Sequence, residues 1–203
     1  MQVKDIHNKG TLGVMDEMNK TTLAISLIEN KSIRNKIAQE HCKYLPEDSI
    51  FYFEDRLSSI HEYNKRLTSL EFWNQFEEEN ILIIQHDSAI LRHGIEDYYQ
   101  YDYIGAPIKW VDFPAMNGGF SLRRKSAMIN VIKNYHYNGL DNEDMYFCNG
   151  LKQLNGNLPT FDVAKSFSCE TIFNLGSLGY HAIDKYLTNE QINQIKTQYE
   201  STN

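Results

Sequence analysis

The chain has 203 residues, 41% of them apolar and 12% aromatic, enough to bury the core of one domain. Its formal net charge of −7 argues against nucleic acid as a general partner, because phosphate backbones are met by a basic stripe. No apolar run approaches the roughly 20 residues of a membrane span, so none is expected.

Residues 1–20, MQVKDIHNKGTLGVMDEMNK, are polar and lack the apolar stretch of a signal peptide. They read as a lead-in to a single domain over 21–203, and a cytoplasmic location is expected. The three cysteines, Cys42, Cys148 and Cys169, are widely spaced with no CxxC, which points to reduced thiols rather than zinc or disulfides.

In chain order, Thr22–Ile28 reads as a strand. Ser32 then suits an N-cap for a helix over 33–44, with Ile33, Ile37, Ala38, Cys42 and Leu45 on one face. A turn at Pro46-Glu47-Asp48 leads to an aromatic-rich strand, Ser49–Phe53. A polar helical stretch follows, then a helix over Leu67–Phe76 that buries Leu70, Trp73 and Phe76. Ile81–Ile84, ILII, is the clearest strand, apolar without alternation, as in a parallel sheet covered on both faces. Asp102–Ala106 is another short strand, and Tyr98, Tyr99, Tyr101 and Tyr103 crowd the stretch around its start, which suits half-buried core.

After Asn117-Gly118-Gly119, a helix over Arg124–Tyr135 buries Met128, Ile132 and Tyr135. Asn142 caps the next helix, whose inner face includes Met145, Cys148 and Leu151. Thr188 and Gln191 form the capping box of a final helix that buries Ile192, Ile195 and Tyr199. The alternation predicts a single α/β domain with a mainly parallel central sheet flanked by helices.

Four clusters can carry chemistry. Gln85-His86-Asp87-Ser88 follows the buried strand, where open α/β sheets bind ligands. A carboxylate there can hold a divalent cation against a diphosphate, or simply cap a turn. Asn117–Arg124, NGGFSLRR, combines glycines that bare the backbone with arginines that match phosphate, or else forms a hairpin before an exposed helix start. With Lys125, Arg123 and Arg124 make a basic triple large enough for one diphosphate. Glu143 and Asp144 open a helix, where they suit the dipole or serve as a general base. His181 follows two glycines and is either structural or a metal ligand. There is no Walker A, GxSxG, HExxH or EF-hand pattern.

Taken in order, LTSLEFWNQF (67–76), ILIIQHDSAILR (81–92), YDYIGAP (101–107), NGGFSLRRKSAM (117–128), NEDMYF (142–147), VAKSFSCE (163–170) and GYHAIDKYL (179–187) resemble a glycosyltransferase-like family of unknown function found in large DNA viruses, bacteria and fungi. The resemblance implies a GT-A fold and sugar transfer from a nucleotide-sugar donor, with a UDP-sugar favoured, to a glycan, polysaccharide or other hydroxyl acceptor. It implies Asp87, Gln85, His86, Ser88 and Arg92 on the donor side, and Asn117, Gly118, Gly119 and Arg123 on the acceptor side. Asp144 or Glu143 becomes the catalytic acid-pair residue, and Asp87 with His181 becomes the site of Mn2+ or Mg2+. One departure stands out: the usual Asp-x-Asp is Gln85-His86-Asp87, with a single carboxylate. His181 then supplies the missing ligand, or Arg92, Arg123 or Arg124 stabilises the leaving group. The alternative is a non-catalytic nucleotide- or glycan-binding module, or a scaffold in a larger glycosylation system.

Overall fold

A computed structural model describes residues 23–26, 43–47, 49–53 and 59–200. The lead-in over 1–20, residues 33–42 of the helix predicted over 33–44, Cys42 among them, and the side chain of Tyr199 lie outside them; Lys43 and Tyr44 form a turn.

Among the described residues the central sheet has five strands: β1 (Leu23–Ser26), β2 (Ile50–Phe53), β3 (Asn80–Ile84), β5 (Tyr103–Ile104) and β6 (Phe120–Arg124), in the order β2-β1-β3-β6-β5. β1 runs parallel to β2 and β3, whereas β6 runs antiparallel to β3 and β5. The sheet is therefore mixed, and the expected mainly parallel arrangement holds only on its β2-β1-β3 side. The reason is the connection: β5 leads to β6 through a loop that reverses direction, and no crossover helix intervenes. A second sheet, order β4-β8-β7, joins β4 (Ser88–Ile90), β8 (Gly179–His181) and β7 (Ser168–Cys169). None of its strands stands out in the sequence, because two or three residues are too few to show a period.

β3 is the best-buried strand, with Ile81, Leu82, Ile83 and Ile84 all closed to solvent. Successive side chains of a strand point to opposite faces. Leu82 and Ile84 pack with Ile104, Phe120 and Leu122, while Ile81 and Ile83 pack with Trp73, Tyr103 and Met128. Each fully buried aliphatic side chain contributes about 1.5–3 kcal/mol, so this strand anchors everything at its C-terminal end.

The helices are α1 (Ile60–Leu67), α2 (Leu70–Asn74), α3 (Lys125–Asn134), α4 (Glu143–Gln153), α5 (Phe161–Phe167), α6 (Ile183–Tyr186) and α7 (Asn189–Glu200). The helix predicted over Leu67–Phe76 is divided between α1 and α2. Ser69 Oγ accepts from Phe72 N–H at 3.3 Å and caps the new start, while Thr68 Oγ1 donates to the Asn64 carbonyl at 2.8 Å. Such hydroxyls compete with the helix ladder. Trp73 and Phe76 are buried as expected, and Leu70 is half-buried. On α3, Val131 joins Met128 in the core in place of Ile132 and Tyr135, which are half-buried. The capping box of α7 is present: Gln191 N–H donates to Thr188 Oγ1 at 3.3 Å, and Thr188 N–H to Gln191 Oε1 at 3.0 Å. No helix among the described residues is long and apolar enough to cross a membrane.

Candidate active site

Asp87 lies between β3 and β4, just past the buried strand. Antiparallel pairing of β4 with β8 sets Ser88 opposite His181, and the Ala182 N–H donates to the Asp87 carbonyl at 2.9 Å. Ala182 adopts φ 48°, a left-handed conformation that a side chain resists, so the turn after His181 is held against local preference. His181 Nε2 lies 3.2 Å from Asp87 Oδ1 and 3.1 Å from Gln85 Oε1. Its Nδ1 lies 3.2 Å from Glu170 Oε1, a carboxylate that is itself buried. Lys185 Nζ donates to Asp87 Oδ2 at 2.7 Å from a mostly exposed side chain.

The charges settle one another. Burial alone would raise the Asp87 pKa, but His181 and Lys185 outweigh it and hold the carboxyl well below the usual range. Burial likewise disfavours imidazolium at His181, yet Asp87 and Glu170 push its pKa up to about 9. These residues fit a divalent cation in a limited way, because His181 would have to give up its ring proton to serve as a ligand. Asp87 Oδ1 is buried without a well-aligned hydrogen-bond partner and faces His181 Nε2, and Glu170 orients the imidazole from behind as an outer partner does. Among the described residues no group of three or more His, Cys, Asp or Glu side chains could hold a metal, so the protein would offer two ligands and a bound diphosphate and water the rest.

The next layer is the Asn117-Gly118-Gly119 loop. Gly119 carbonyl accepts from Gln85 N–H at 2.8 Å and from Ser88 Oγ at 3.0 Å. A Cβ on Gly119 would sit 2.3 Å from His181 Nε2, and one on Gly118 would sit 2.4 Å from Glu143 Oε1. The glycines thus allow two side chains of the protein itself to close on the backbone. Gly118 N–H also donates to Asp144 Oδ2 at 3.2 Å. One dipeptide therefore has the Asp87–His181 pair on one side and the start of α4 on the other.

At that start, Asn142 occupies the cap position, but its side chain makes no cap hydrogen bond. Asn64 of α1 does so instead, its Oδ1 accepting from the Glu143 N–H at 3.2 Å. Asp144 stays partly open, with its Oδ1 taking the Met145 N–H at 2.7 Å. Burial and the neighbouring Glu143 charge raise its pKa to about 7, against the opposing pull of Met145, Arg123 and Gly118. That is a suitable value for a general base near neutrality.

Several expected site residues do other work. Arg123 is fully buried on β6, with Nη2 2.9 Å from Glu143 Oε1, Nη1 on Glu143 Oε2, and Nε on Ser121 Oγ at 2.9 Å. It cannot reach an acceptor, and Glu143, committed to both guanidinium nitrogens, cannot serve as a base. Arg124 meets the Tyr99 carbonyl at 2.7 Å, and Lys125 meets the Phe76 and Glu77 carbonyls at 3.1 and 2.9 Å, so the basic triple is spent internally. Arg92, beyond β4, ties down the Gly176 carbonyl at 3.1 Å and does not join Asp87. Ser88 is buried and fastens the glycine loop, while His86 is exposed at the turn. Besides His181, the cation that meets Asp87 is Lys185. Lys185 and Glu170 both lie in the segments that carry the resemblance, but nothing local in their sequence marks a role. Asn64 likewise carries no signal.

Residues 24–181 match a family described as proteins of unknown function, DUF5672. The chain belongs to that family. The match covers Asp87, the glycine loop, Asp144 and His181, and ends just before Lys185. A comparison with curated proteins finds no match. Among solved structures, the chain is similar to a glycosyltransferase involved in the glycosylation of the major capsid of PBCV-1, at TM-score 0.52 and 13% identity, over 86% of this chain and 100% of that one. It is also similar to the apo form of the glycosyltransferase GlyE of Streptococcus pneumoniae TIGR4, at TM-score 0.55 and 8% identity, over 89% of this chain and 60% of that one. At such identities the likeness is one of fold: this DUF5672 member has a glycosyltransferase-like mixed α/β fold.

Proposed function

We propose that this chain is a glycosyltransferase that moves a sugar from a nucleoside diphosphate donor to a hydroxyl of a glycan or similar acceptor. The observation that carries the reading is the Gly118–Gly119 step, which joins an anion-handling cluster to a carboxylate tuned near neutrality. Asp87 and His181 would hold Mn2+ or Mg2+, which would supply charge neutralisation at the diphosphate. Lys185, released from Asp87 Oδ2, meets the phosphate oxygens. Asp144 accepts the proton of the acceptor hydroxyl as that oxygen attacks the anomeric carbon. The bond from that carbon to the phosphate oxygen breaks, and the nucleoside diphosphate leaves with the electron pair. Asn117 stays half-buried beside this path, its Oδ1 taking the Gly119 N–H at 2.6 Å and fixing the loop.

Calorimetric titration with UDP and GDP, with and without Mn2+, followed by assay of donor hydrolysis across nucleotide sugars, tests the proposal. Metal-enhanced binding with slow hydrolysis supports it. Binding with no turnover of any donor favours a nucleotide-binding module, and binding of neither nucleotide sinks the reading.

A further inference from the structure

Two large aromatic side chains near this cluster remain in solvent. Trp110 is 64% exposed and Tyr186 46% exposed, with ring centroids 5.5 Å apart and planes tilted by 53°. Pairs of open aromatic rings are costly to leave wet, and they mark binding surfaces when they border a polar site.

Both rings are tied to the Asp87 cluster. Tyr186 follows Lys185, whose ammonium sits on Asp87. The backbone beside Trp110 is pinned where the Lys109 N–H donates to Thr171 Oγ1 at 2.9 Å, and Thr171 Oγ1 donates in turn to the Pro107 carbonyl at 3.1 Å. Thr171 follows Glu170, the carboxylate behind His181. Hydrogen bonds and chain neighbours thus link the proposed diphosphate position to the segments that carry the two rings.

Topology says which part of the reactants lies there. Nucleotides bind outside the C-terminal ends of parallel strands. The parallel half of the sheet is β2-β1-β3, so the nucleoside belongs on that side of Asp87. Trp110 lies on the loop between β5 and β6, the two strands beyond β3 on the other side. What meets the rings is then whatever approaches the reacting sugar from the far side. A pyranose has an apolar C–H face and a rim of hydroxyls. Tyrosine and tryptophan offer it flat apolar area with few rotors to freeze and a polar edge to bond.

We infer that Trp110 and Tyr186 form a stacking subsite for a neutral pyranose ring of the acceptor glycan. The inference rests on the transferase reading. Trp110 also supplies its own reporter, because the chain has 2 tryptophans and the other, Trp73, is closed to solvent.

The test uses the full chain, with UDP and GDP affinities measured first by calorimetry. The methyl glycosides of glucose, galactose, mannose, N-acetylglucosamine and xylose are then titrated against tryptophan emission in the presence of the bound nucleotide. At least one glycoside should shift the emission of the wild type and leave that of Trp110→Ala unmoved. Trp110→Ala and Tyr186→Ala should weaken that glycoside about tenfold or more, on the scale of a lost aromatic contact, while Trp110→Phe keeps most of the affinity. Nucleotide affinity should be unchanged in all three variants, which also shows that they are folded. Nucleotide binding with no emission change from any glycoside overturns the subsite alone. So does a loss of nucleotide affinity in Trp110→Ala, which would make the rings a platform for the base. Failure of the wild type to bind either nucleotide removes the transferase reading, and the subsite with it.

Discussion

Arg123 and Glu143 form an ion pair across the space between β6 and α4, with side-chain exposures of 0% and 3%. The guanidinium lies over the Tyr103 ring at 4.8 Å and also donates to the Gly118 carbonyl at 3.2 Å. The pair joins the sheet, the glycine loop and the helix that presents Asp144. Its role follows from that position: it fixes the start of α4, and Asp144 with it, against the sheet and the glycine loop.

Removing one partner strands a buried charge. Arg123→Met and Glu143→Gln are each expected to lower the unfolding free energy by about 3–5 kcal/mol, seen as a lower urea midpoint. The double variant Arg123→Met/Glu143→Leu should recover much of that loss, since two apolar groups of similar volume need no partners. A double variant less stable than either single one would show that the pair is not what those substitutions break.

Asp144 gives a pH dependence of known sign. A base must be ionised, so turnover should rise with pH through about 7 and then level. Asp144→Asn should abolish that limb and most turnover while leaving UDP affinity intact. Stability moves the opposite way. The folded pKa lies above the ordinary aspartate value of 3.8, so the folded state holds the proton more tightly, and stability falls as pH rises from there to about 7. Asp144→Asn should therefore appear increasingly stabilising, relative to the wild type, across the same interval. A flat difference in melting temperature between the two proteins would contradict the environment described for this carboxyl.

Variants at Asp87 and Lys185 would separate two parts of the proposed donor binding. Asp87→Ala should remove the metal enhancement of UDP binding and all donor hydrolysis. Lys185→Met should weaken UDP by roughly 10- to 100-fold, the scale of a charge-assisted hydrogen bond, with the metal enhancement retained. Calorimetry with and without Mn2+ distinguishes them. Wild-type activity in Asp87→Ala would be decisive against the site.

Gly119 tests the contact between loop and imidazole. A methyl group there would overlap the His181 ring at 2.3–2.6 Å, so Gly119→Ala must displace it. The expected loss is about 1–3 kcal/mol in stability, together with weakened metal-dependent UDP binding. Gly139→Ala is a control for the loss of binding, because no atom lies within 4 Å of the added Cβ, although its φ of 77° makes some strain unavoidable.

Much of this protein was legible along the chain. ILII announces a strand buried on both faces because only such a strand has no polar side. Asp87 follows it by three residues, so its place at the strand end came with the strand. Thr188 with Gln191, and Glu143 with Asp144, mark helix starts through bonds and charges that act over three or four residues. The tertiary structure alone decided which distant groups meet. The reversal at β6 made the sheet mixed, and the same strand turned Arg123 inward to Glu143, twenty residues on. The β4–β8 pairing carried His181 and Lys185 to Asp87, 98 positions before the lysine. Periodicity and capping record what a residue does within its own turn or strand. The partner of a buried charge depends on which elements the whole chain packs side by side.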